Sequence, residues 1–505
     1  MYKWLKRARV LISVAIAVFI TLAFLFFSNR ESLFFASFLK TQFVPALLGV
    51  FTGSAIVLAL LIVLVLLFGR LYCSTLCPLG TMQDAIWRVS SFFRSKKRRR
   101  FKFSPNRSIL RYSFLAIAAI PLLFGSSLAI SLLDPYSNYG KISSEIISRS
   151  EQYIHNLFSQ AFPSEVFFRS YSQFFAISFF FALSFLILVA VMSAFRGRLY
   201  CNTICPVGTT LGLVSRFAAF RPVINKDTCN KCQLCISNCK AECIDVEKGE
   251  IDASRCVGCF NCMTVCKKDA VSYKFMWGRT KSIEKTQLKG RREALVTMGL
   301  LGSFIAARAV TKNHLGKPSE TEDGIAPPGA LSTANLKNNC TACQACVAAC
   351  PNGIIKPATG EYGIDGLLMP VLSFEKLFCG YDCNVCSQVC PNGALLPLTL
   401  EDKKLTQIGQ VRFYMENCIV VTDNTACGAC DEHCPTKAIT MIPYGDKGLT
   451  IPLVERDICI GCGGCEYVCP ATKKAMLVEP RAIHGLATKP KVEKQEKIVV
   501  DEFGF

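Results

Sequence analysis

Four long apolar runs dominate the first two hundred residues, at roughly 9–28, 43–68, 108–132 and 172–195. Each has the ~20 apolar residues a helix needs to cross about 30 Å of hydrocarbon, so the pattern predicts four transmembrane helices. The polar segments between them set the orientation. Lys3, Lys6, Arg7 and Arg9 precede the first run, and Arg88 to Arg111 contains 10 Lys/Arg and no acid, which places both segments on the cytoplasmic side. Asp134 to Arg169, with 3 Lys/Arg and 4 Asp/Glu and amphipathic Phe and Tyr, suits an outside loop lying along the membrane surface. A weaker apolar run, Ala294 to Val310, predicts a fifth helix.

Composition narrows the chemistry. The 505 residues include 29 cysteines and only 4 histidines. No CxxCH occurs, and His155, His314, His433 and His484 are too scattered to serve as axial pairs, so haem is excluded. No G-x-G-x-x-G follows a predicted strand, which leaves no flavin or nicotinamide signature. The net charge of +20 lies in residues 1–312, beside the apolar runs, whereas residues 313–505 are slightly acidic. Positive-inside orientation explains that asymmetry more simply than nucleic-acid binding does.

The chain repeats itself. GRLYCSTLCPLGT at 69–81 returns as GRLYCNTICPVGT at 197–209, each copy at the cytoplasmic end of the second helix of a hairpin, so the membrane part reads as two related hairpins. Twenty-four other cysteines fall into six groups of four. Cys229, Cys232, Cys235, Cys239 and Cys256, Cys259, Cys262, Cys266 follow the bacterial ferredoxin run, in which the fourth cysteine ligates the neighbouring cluster. Crossing the fourth ligands gives one 4Fe-4S site at Cys229, Cys232, Cys235, Cys266 and another at Cys256, Cys259, Cys262, Cys239. Four further groups, each ended by proline, give Cys340, Cys343, Cys346, Cys390; Cys379, Cys383, Cys386, Cys350; Cys418, Cys427, Cys430, Cys469; and Cys459, Cys462, Cys465, Cys434. Proline halts the helix and turns the chain back. Six repeats of this spacing argue against a disulfide framework or zinc knuckles.

Five cysteines remain. Cys243 is expected to be a buried structural thiol. The CxxxCP pairs, Cys73 with Cys77 and Cys201 with Cys205, present sulfurs at i and i+4 on one helical face, and the hairpin repeat could bring both pairs together. Such a tetrad could hold an additional iron-sulfur centre, act as redox-active thiols, or simply pack. The sequence from Gly290 through Arg291 and Arg292 to Leu295, followed by the apolar run, looks like an internal twin-arginine signal, which suits export of a domain that carries preassembled clusters. An A-x-A pattern at Ala307 to Ala309 would permit cleavage.

These motifs carry a family resemblance. Residues 1 to about 275, with twin LYCxTxCP motifs and a two-cluster segment, resemble NapH, the membrane ferredoxin component of periplasmic nitrate reductase systems. Residues 290 to about 480, with the CxxxCxxCxxxCP and long-first-gap variants, resemble NapG. The chain reads as a fusion of the two, an α-helical membrane domain with α+β double-cluster ferredoxin modules on both sides. Its expected domains are a four-helix membrane part (1–221), a cytoplasmic two-cluster module (222–275), a linker and crossing segment (276–312), a periplasmic four-cluster module (313–487) and a tail (488–505).

The resemblance implies a quinol dehydrogenase in the bacterial inner membrane, fed by the membrane quinone pool and delivering electrons to a periplasmic terminal reductase or carrier. Two sets of residues are candidates for quinol: Tyr72 and Tyr200 with the CxxxCP cysteines at the inner boundary, or Asp134, Tyr136 and Tyr139 at the outer one. An assembly factor that reduces a metal or disulfide of a partner enzyme is the alternative; it would need only the cytoplasmic cluster pair.

Overall fold

The computed structural model describes residues 2–25, 37–95, 100–162, 173–277, Gly299 and 324–489. The expected fifth helix and twin-arginine-like segment lie outside the described residues, as does nearly all of the tail. Seven helices frame the N-terminal part: α1 (Tyr2–Leu25), α2 (Ala55–Phe68), α3 (Pro78–Phe92), α4 (Ser108–Leu123), α5 (Pro135–Ile142), α6 (Ala176–Arg196) and α7 (Pro206–Ser215).

Among the described residues two helices, α1 and α6, are long and apolar enough to cross a membrane, and α2 and α4 are shorter apolar helices. The difference from four full-length spans has a local cause. The run 43–68 is broken by a 3-10 turn, Gly49–Thr52, that ends at Gly53 with φ +101°. Glycine takes this left-handed conformation without steric cost. The run 108–132 carries Pro121 in its last turn and stops at Leu123; the chain reverses at Gly125 and restarts at Leu128–Leu133.

Two small α+β bodies are attached. The first is closed by the antiparallel pair Phe220–Ile224 and Val271–Phe275. The second, residues 324–489, contains three antiparallel pairs, of which the longest joins Thr406–Phe413 to Met476–Leu486. In four cysteine groups the residues flanking the second cysteine are left-handed: Lys231 and Gln233, Gly258 and Phe260, Ala342 and Gln344, Gly461 and Gly463. A non-glycine residue there costs about 1–2 kcal/mol, so the tight wrap must be offset by what the loop encloses.

The two bodies occupy opposite ends of α1. At its N-terminal end the Tyr2 hydroxyl accepts from the Tyr273 amide of the first body, 3.1 Å. At its C-terminal end Ile20, Ala23 and Phe24 share one apolar core with Tyr136, Cys340 and Cys343 of the second body's interface. A 24-residue helix is about 36 Å long, enough to cross the roughly 30 Å hydrocarbon core of a bilayer.

The first half of the segment after Asp134 departs from expectation. It does not lie along a surface: Asp134, Ser137, Asn138, Lys141, Ser143 and Glu145 are all buried, whereas Ser148–Ala161 is an amphipathic helix with Tyr153, Ile154, Leu157 and Phe158 exposed. Most of these polar groups find partners inside; among the described residues, Ser143 Oγ and one Asp134 oxygen do not. Asp134 caps α5 by accepting from the Ser137 amide and hydroxyl at 2.8 and 2.6 Å, and Lys141 Nζ donates to the Ser131 carbonyl at 2.8 Å. An amphipathic pattern suits a protein–protein boundary as well as a lipid–water one.

Candidate functional site

The four CxxxCP cysteines are buried in one core with the first body. Within each pair the helix is interrupted, contrary to the expected continuous i, i+4 face. Cys73 lies in the turn Tyr72–Thr75, whereas Cys77 is extended (φ −77°, ψ 114°) and precedes α3; Cys205 does the same before α7. The following proline disfavours a helical conformation at the second cysteine and then occupies the first helical position, where its missing N–H is harmless. The second sulfur thereby caps the new helix: Cys205 Sγ accepts from the Gly208 amide at 3.2 Å.

Each copy of the repeat completes the other. Arg70, in the first copy, donates to the Cys201 carbonyl at 3.0 Å, and Arg198, in the second, donates to the Cys73 carbonyl at 2.7 Å. Two glycines make room. A Cβ at Gly80 would stand 2.3 Å from Arg198 Nη1 and 2.4 Å from the Cys73 carbonyl; at Gly208 it would stand 2.8 Å from Arg70 Nη2 and 2.2 Å from the Cys201 carbonyl. Gln83 Nε2 lies 3.3 Å from Cys201 Sγ. The four sulfurs lie within electrostatic reach of one another; burial pushes the Cys73, Cys77 and Cys205 thiols up, and the buried Arg70 and Arg198 guanidinium groups work against that by favouring negative charge at the tetrad.

The tetrad is joined to the first body through charges and backbone. Asp84 of α3 binds Arg198 Nε at 2.9 Å and Lys240 Nζ at 3.0 Å. Burial disfavours its charge, but Arg198 and Lys240 outweigh burial and hold the carboxyl well below the usual range. Arg70 also donates to the Ser254 carbonyl, and Asn202 to that of Ala241.

The two candidate quinol sets prove to be neighbours instead of lying at opposite boundaries. Tyr200 donates to the Leu133 carbonyl at 2.7 Å, and Tyr72, which donates to Gln42 Oε1 at 3.0 Å, is within electrostatic reach of Asp134. Tyr139 shares a 2.6 Å hydrogen bond with Thr21 of α1. Burial raises the Asp134 carboxyl to about 6 against the Ser137 hydrogen bonds. On its other side the same segment meets the second body: Tyr136 lies beside Cys343, the Ser127 hydroxyl donates to the Cys340 carbonyl, and a Cβ at Gly140 would come within 2.3 Å of the Cys343 carbonyl.

Four of the six ferredoxin cysteine sets line cavities of their own. Cys418, Cys427, Cys430 and Cys469 surround about 380 Å³. Cys340, Cys343, Cys346 and Cys390 line a partly open pocket of the same size. Cys239, Cys256, Cys259 and Cys262 surround about 410 Å³, and Cys434, Cys459, Cys462 and Cys465 about 320 Å³. Each contains a fourth cysteine from the neighbouring run. Cys379, Cys383, Cys386 and Cys350 neighbour one another, as do Cys229, Cys232 and Cys235, while Cys266 follows the helix Asn261–Val265.

Backbone amides aim at the sulfurs: Ala342 at Cys340, Leu395 at Cys390, Ala438 at Cys434 and Ala475 at Cys469, all at 3.3–3.4 Å. Among the described residues no three His, Cys, Asp or Glu side chains converge on a single-ion position. Sulfurs arranged around a volume, with N–H donors behind them, fit a cubane better than zinc.

The sets form a line that sequence order does not give. Cys346 neighbours Cys386; the Cys379 amide donates to the Cys462 carbonyl at 2.9 Å; and Cys465 neighbours Cys430. The order is therefore 340, 379, 459, 418. In the first body Cys262 neighbours Cys235, and Gly258 packs on Leu71, so the 256 set faces the tetrad and the 229 set, with Cys232 exposed, is outermost. Cys243 is buried as expected, but it lines the cavity of the 256 set, with its sulfur 3.7 Å from Cys239 Sγ. Sequence reasoning missed Arg70, Arg198, Gly80, Gly208, Gln83 and Asp84, although the first four recur at the same offset in both copies of the repeat.

This geometry defines an iron-sulfur protein, and comparison with known proteins agrees. A 4Fe-4S binding domain matches residues 50–100 and 178–225, and a 4Fe-4S dicluster domain matches 425–473. The ferredoxin-type protein NapG of Escherichia coli is 30% identical over 179 residues, covering 32% of this chain and 71% of that protein. The ferredoxin-type protein NapF of the same organism is 27% identical over 159 residues, 31% of this chain and 87% of NapF. The E. coli protein YccM, named there as a candidate for electron transport, is 26% identical over 223 residues, 43% of this chain and 54% of YccM. No solved structure matches the chain. The chain is an iron-sulfur electron-transfer protein related to the Nap ferredoxins, and it belongs to the ferredoxin-type family of NapG.

Proposed function

We propose that the chain is a membrane-bound quinol dehydrogenase component with six 4Fe-4S clusters that delivers electrons to a reductase or carrier outside the cytoplasm, as in a nitrate reductase-like system. In this reading the first body lies in the cytoplasm and residues 324–489 lie outside. The observation that supports it best is the unbroken line of cysteine sets that begins beside the buried Asp134 segment and runs from the 340 set to the 418 set.

A quinol leaves as quinone by losing two electrons and two protons. Asp134, with its carboxyl near 6, is poised to accept the two quinol protons in turn, one with each departing electron, giving up the first to outside water before it takes the second. Tyr136 and Tyr139 orient the ring, and the apolar core around Phe24 and Ile20 excludes water. The clusters supply one-electron carriers, so two electrons leave singly. The test is to give a menaquinol analogue to the full chain in a bilayer and follow cluster reduction by EPR. Reduction is expected; its absence with every cluster intact overturns the reading.

A further inference from the structure

Quinol oxidation beside Asp134 would feed the 340 set directly and leave the first body without a task. Yet that body is built onto the tetrad. Its 256 set packs through Gly258 onto Leu71, its Ser254 carbonyl accepts from Arg70, and its Lys240 meets Asp84. The tetrad in turn lies partway along α1: Arg9 donates to the Ser74 carbonyl at 3.0 Å, and the Ser13 carbonyl accepts from Thr81 at 3.4 Å. At 1.5 Å per residue these positions stand about 10–17 Å from Tyr2, which touches the first body, and about 17–22 Å from Phe24, which meets the second.

We propose that Cys73, Cys77, Cys201 and Cys205 hold a redox-active iron-sulfur centre that joins the two bodies into one conductor, so that the chain also moves single electrons across the membrane without quinone, from a small acidic one-electron carrier of the ferredoxin class. This extends the quinol reading and shares with it the line of clusters. The donor loses one electron at the 229 set, and an outside acceptor gains one at the 418 set; no bond is made and no proton is required.

The donor's charge follows from the outermost end of the first body. Lys231, beside Cys232 in the chain, and Lys267 and Lys268, which follow Cys266 of the same set, are all exposed, against the exposed acids Asp227 and Asp269. A positive rim around an exposed cluster speeds docking of a negatively charged carrier.

The test uses the full chain in quinone-free vesicles, with ferric cytochrome c trapped inside and dithionite outside. Reduction at least tenfold faster than in protein-free vesicles is expected. Cys77→Ser/Cys205→Ser should lose one centre's iron and labile sulfide, keep the EPR signals of both ferredoxin bodies, and fall to the protein-free rate. In a separate arm with reduced acidic ferredoxin as donor, Lys231→Glu/Lys267→Glu/Lys268→Glu should slow that donor several-fold while leaving the dithionite rate unchanged.

A wild-type rate no faster than protein-free vesicles, with both bodies reducible in detergent, overturns the proposal. So does an unchanged rate or unchanged iron content in the cysteine variant. Menaquinol reduction of the clusters, measured on the same preparation, tells this failure from failure of the quinol reading.

Discussion

Asp84 ties the tetrad to the first body, and Asp84→Asn would cut that tie with little change in shape. At an effective dielectric of about 20, contacts of 2.9 and 3.0 Å correspond to roughly 6 kcal/mol of attraction each before desolvation is charged against them. Removing one partner of a buried pair typically costs about 3–5 kcal/mol, because the remaining charges stay buried without compensation. The Asp84 side chain is 18% exposed, which argues for the lower end, roughly 3 kcal/mol or about a hundredfold in local opening.

Hydrogen exchange reads this directly. Across the interface the Arg198 amide donates to Lys240, Phe101 to Ser237 and Ser104 to Glu242. Peptides covering these amides should exchange about a hundredfold faster in the variant, and Thr406–Phe413 should not change. The pH sign is fixed by the depressed carboxyl. Its contribution is complete above the ordinary aspartate value near 4 and is lost only as pH falls from there toward the lower native value. Unchanged exchange at the interface, or equal acceleration everywhere, would refute the role given to Asp84.

Gly208→Ala forces a methyl against the Cys201 carbonyl and Arg70; overpacking there should cost about 1–3 kcal/mol or more and lower the temperature at which iron-sulfur colour bleaches. A wild-type midpoint would show that Arg70 simply moves aside. Cys243→Ala removes a thiol beside Cys239, and loss of an S–H donor to a cluster ligand should lower the reduction potential of the 256 set in an EPR titration; an unchanged potential would reduce Cys243 to packing. Burial, with Arg481 nearby, lowers the His484 imidazole to about 4. The native state therefore favours the neutral ring, and stability falls as pH drops from about 6.5 to about 4, by roughly 3 kcal/mol. Exchange at the His484 amide, bonded to Leu331, should rise over that window in the wild type and much less in His484→Gln.

What could be read from sequence was what is local. Cysteine spacing specifies a loop that wraps its own cavity, and the crossing of fourth cysteines follows from a helix one turn long. The spatial order of the last two sets was not legible, because it depends on the long pairing of 406–413 with 476–486. Helix breaks at Gly49, Gly53 and Pro121 were visible as residues, but their effect was hidden by the continuous apolarity around them. Arg70 and Arg198 stand in the sequence only as letters of the repeat; packing alone shows that each points into the other half. The first half of the Asp134 segment differs from expectation because its polar groups meet protein instead of water: Asp134 accepts from the Ser137 amide and hydroxyl, and Lys141 donates to the Ser131 carbonyl.

The exchange of arginines between the two halves also imposes an order of manufacture. When the first hairpin leaves the ribosome, Arg70 has no Cys201 carbonyl to bind and the Cys73 carbonyl has no Arg198, so the first half is an unfinished socket with a buried cation still unmatched. It becomes whole only when the chain has been made past Gly208, some 130 residues after Gly80. A centre at the tetrad can therefore be installed only after translation of both hairpins, and neither half, inserted alone, would present a finished ligand set to the machinery that delivers iron.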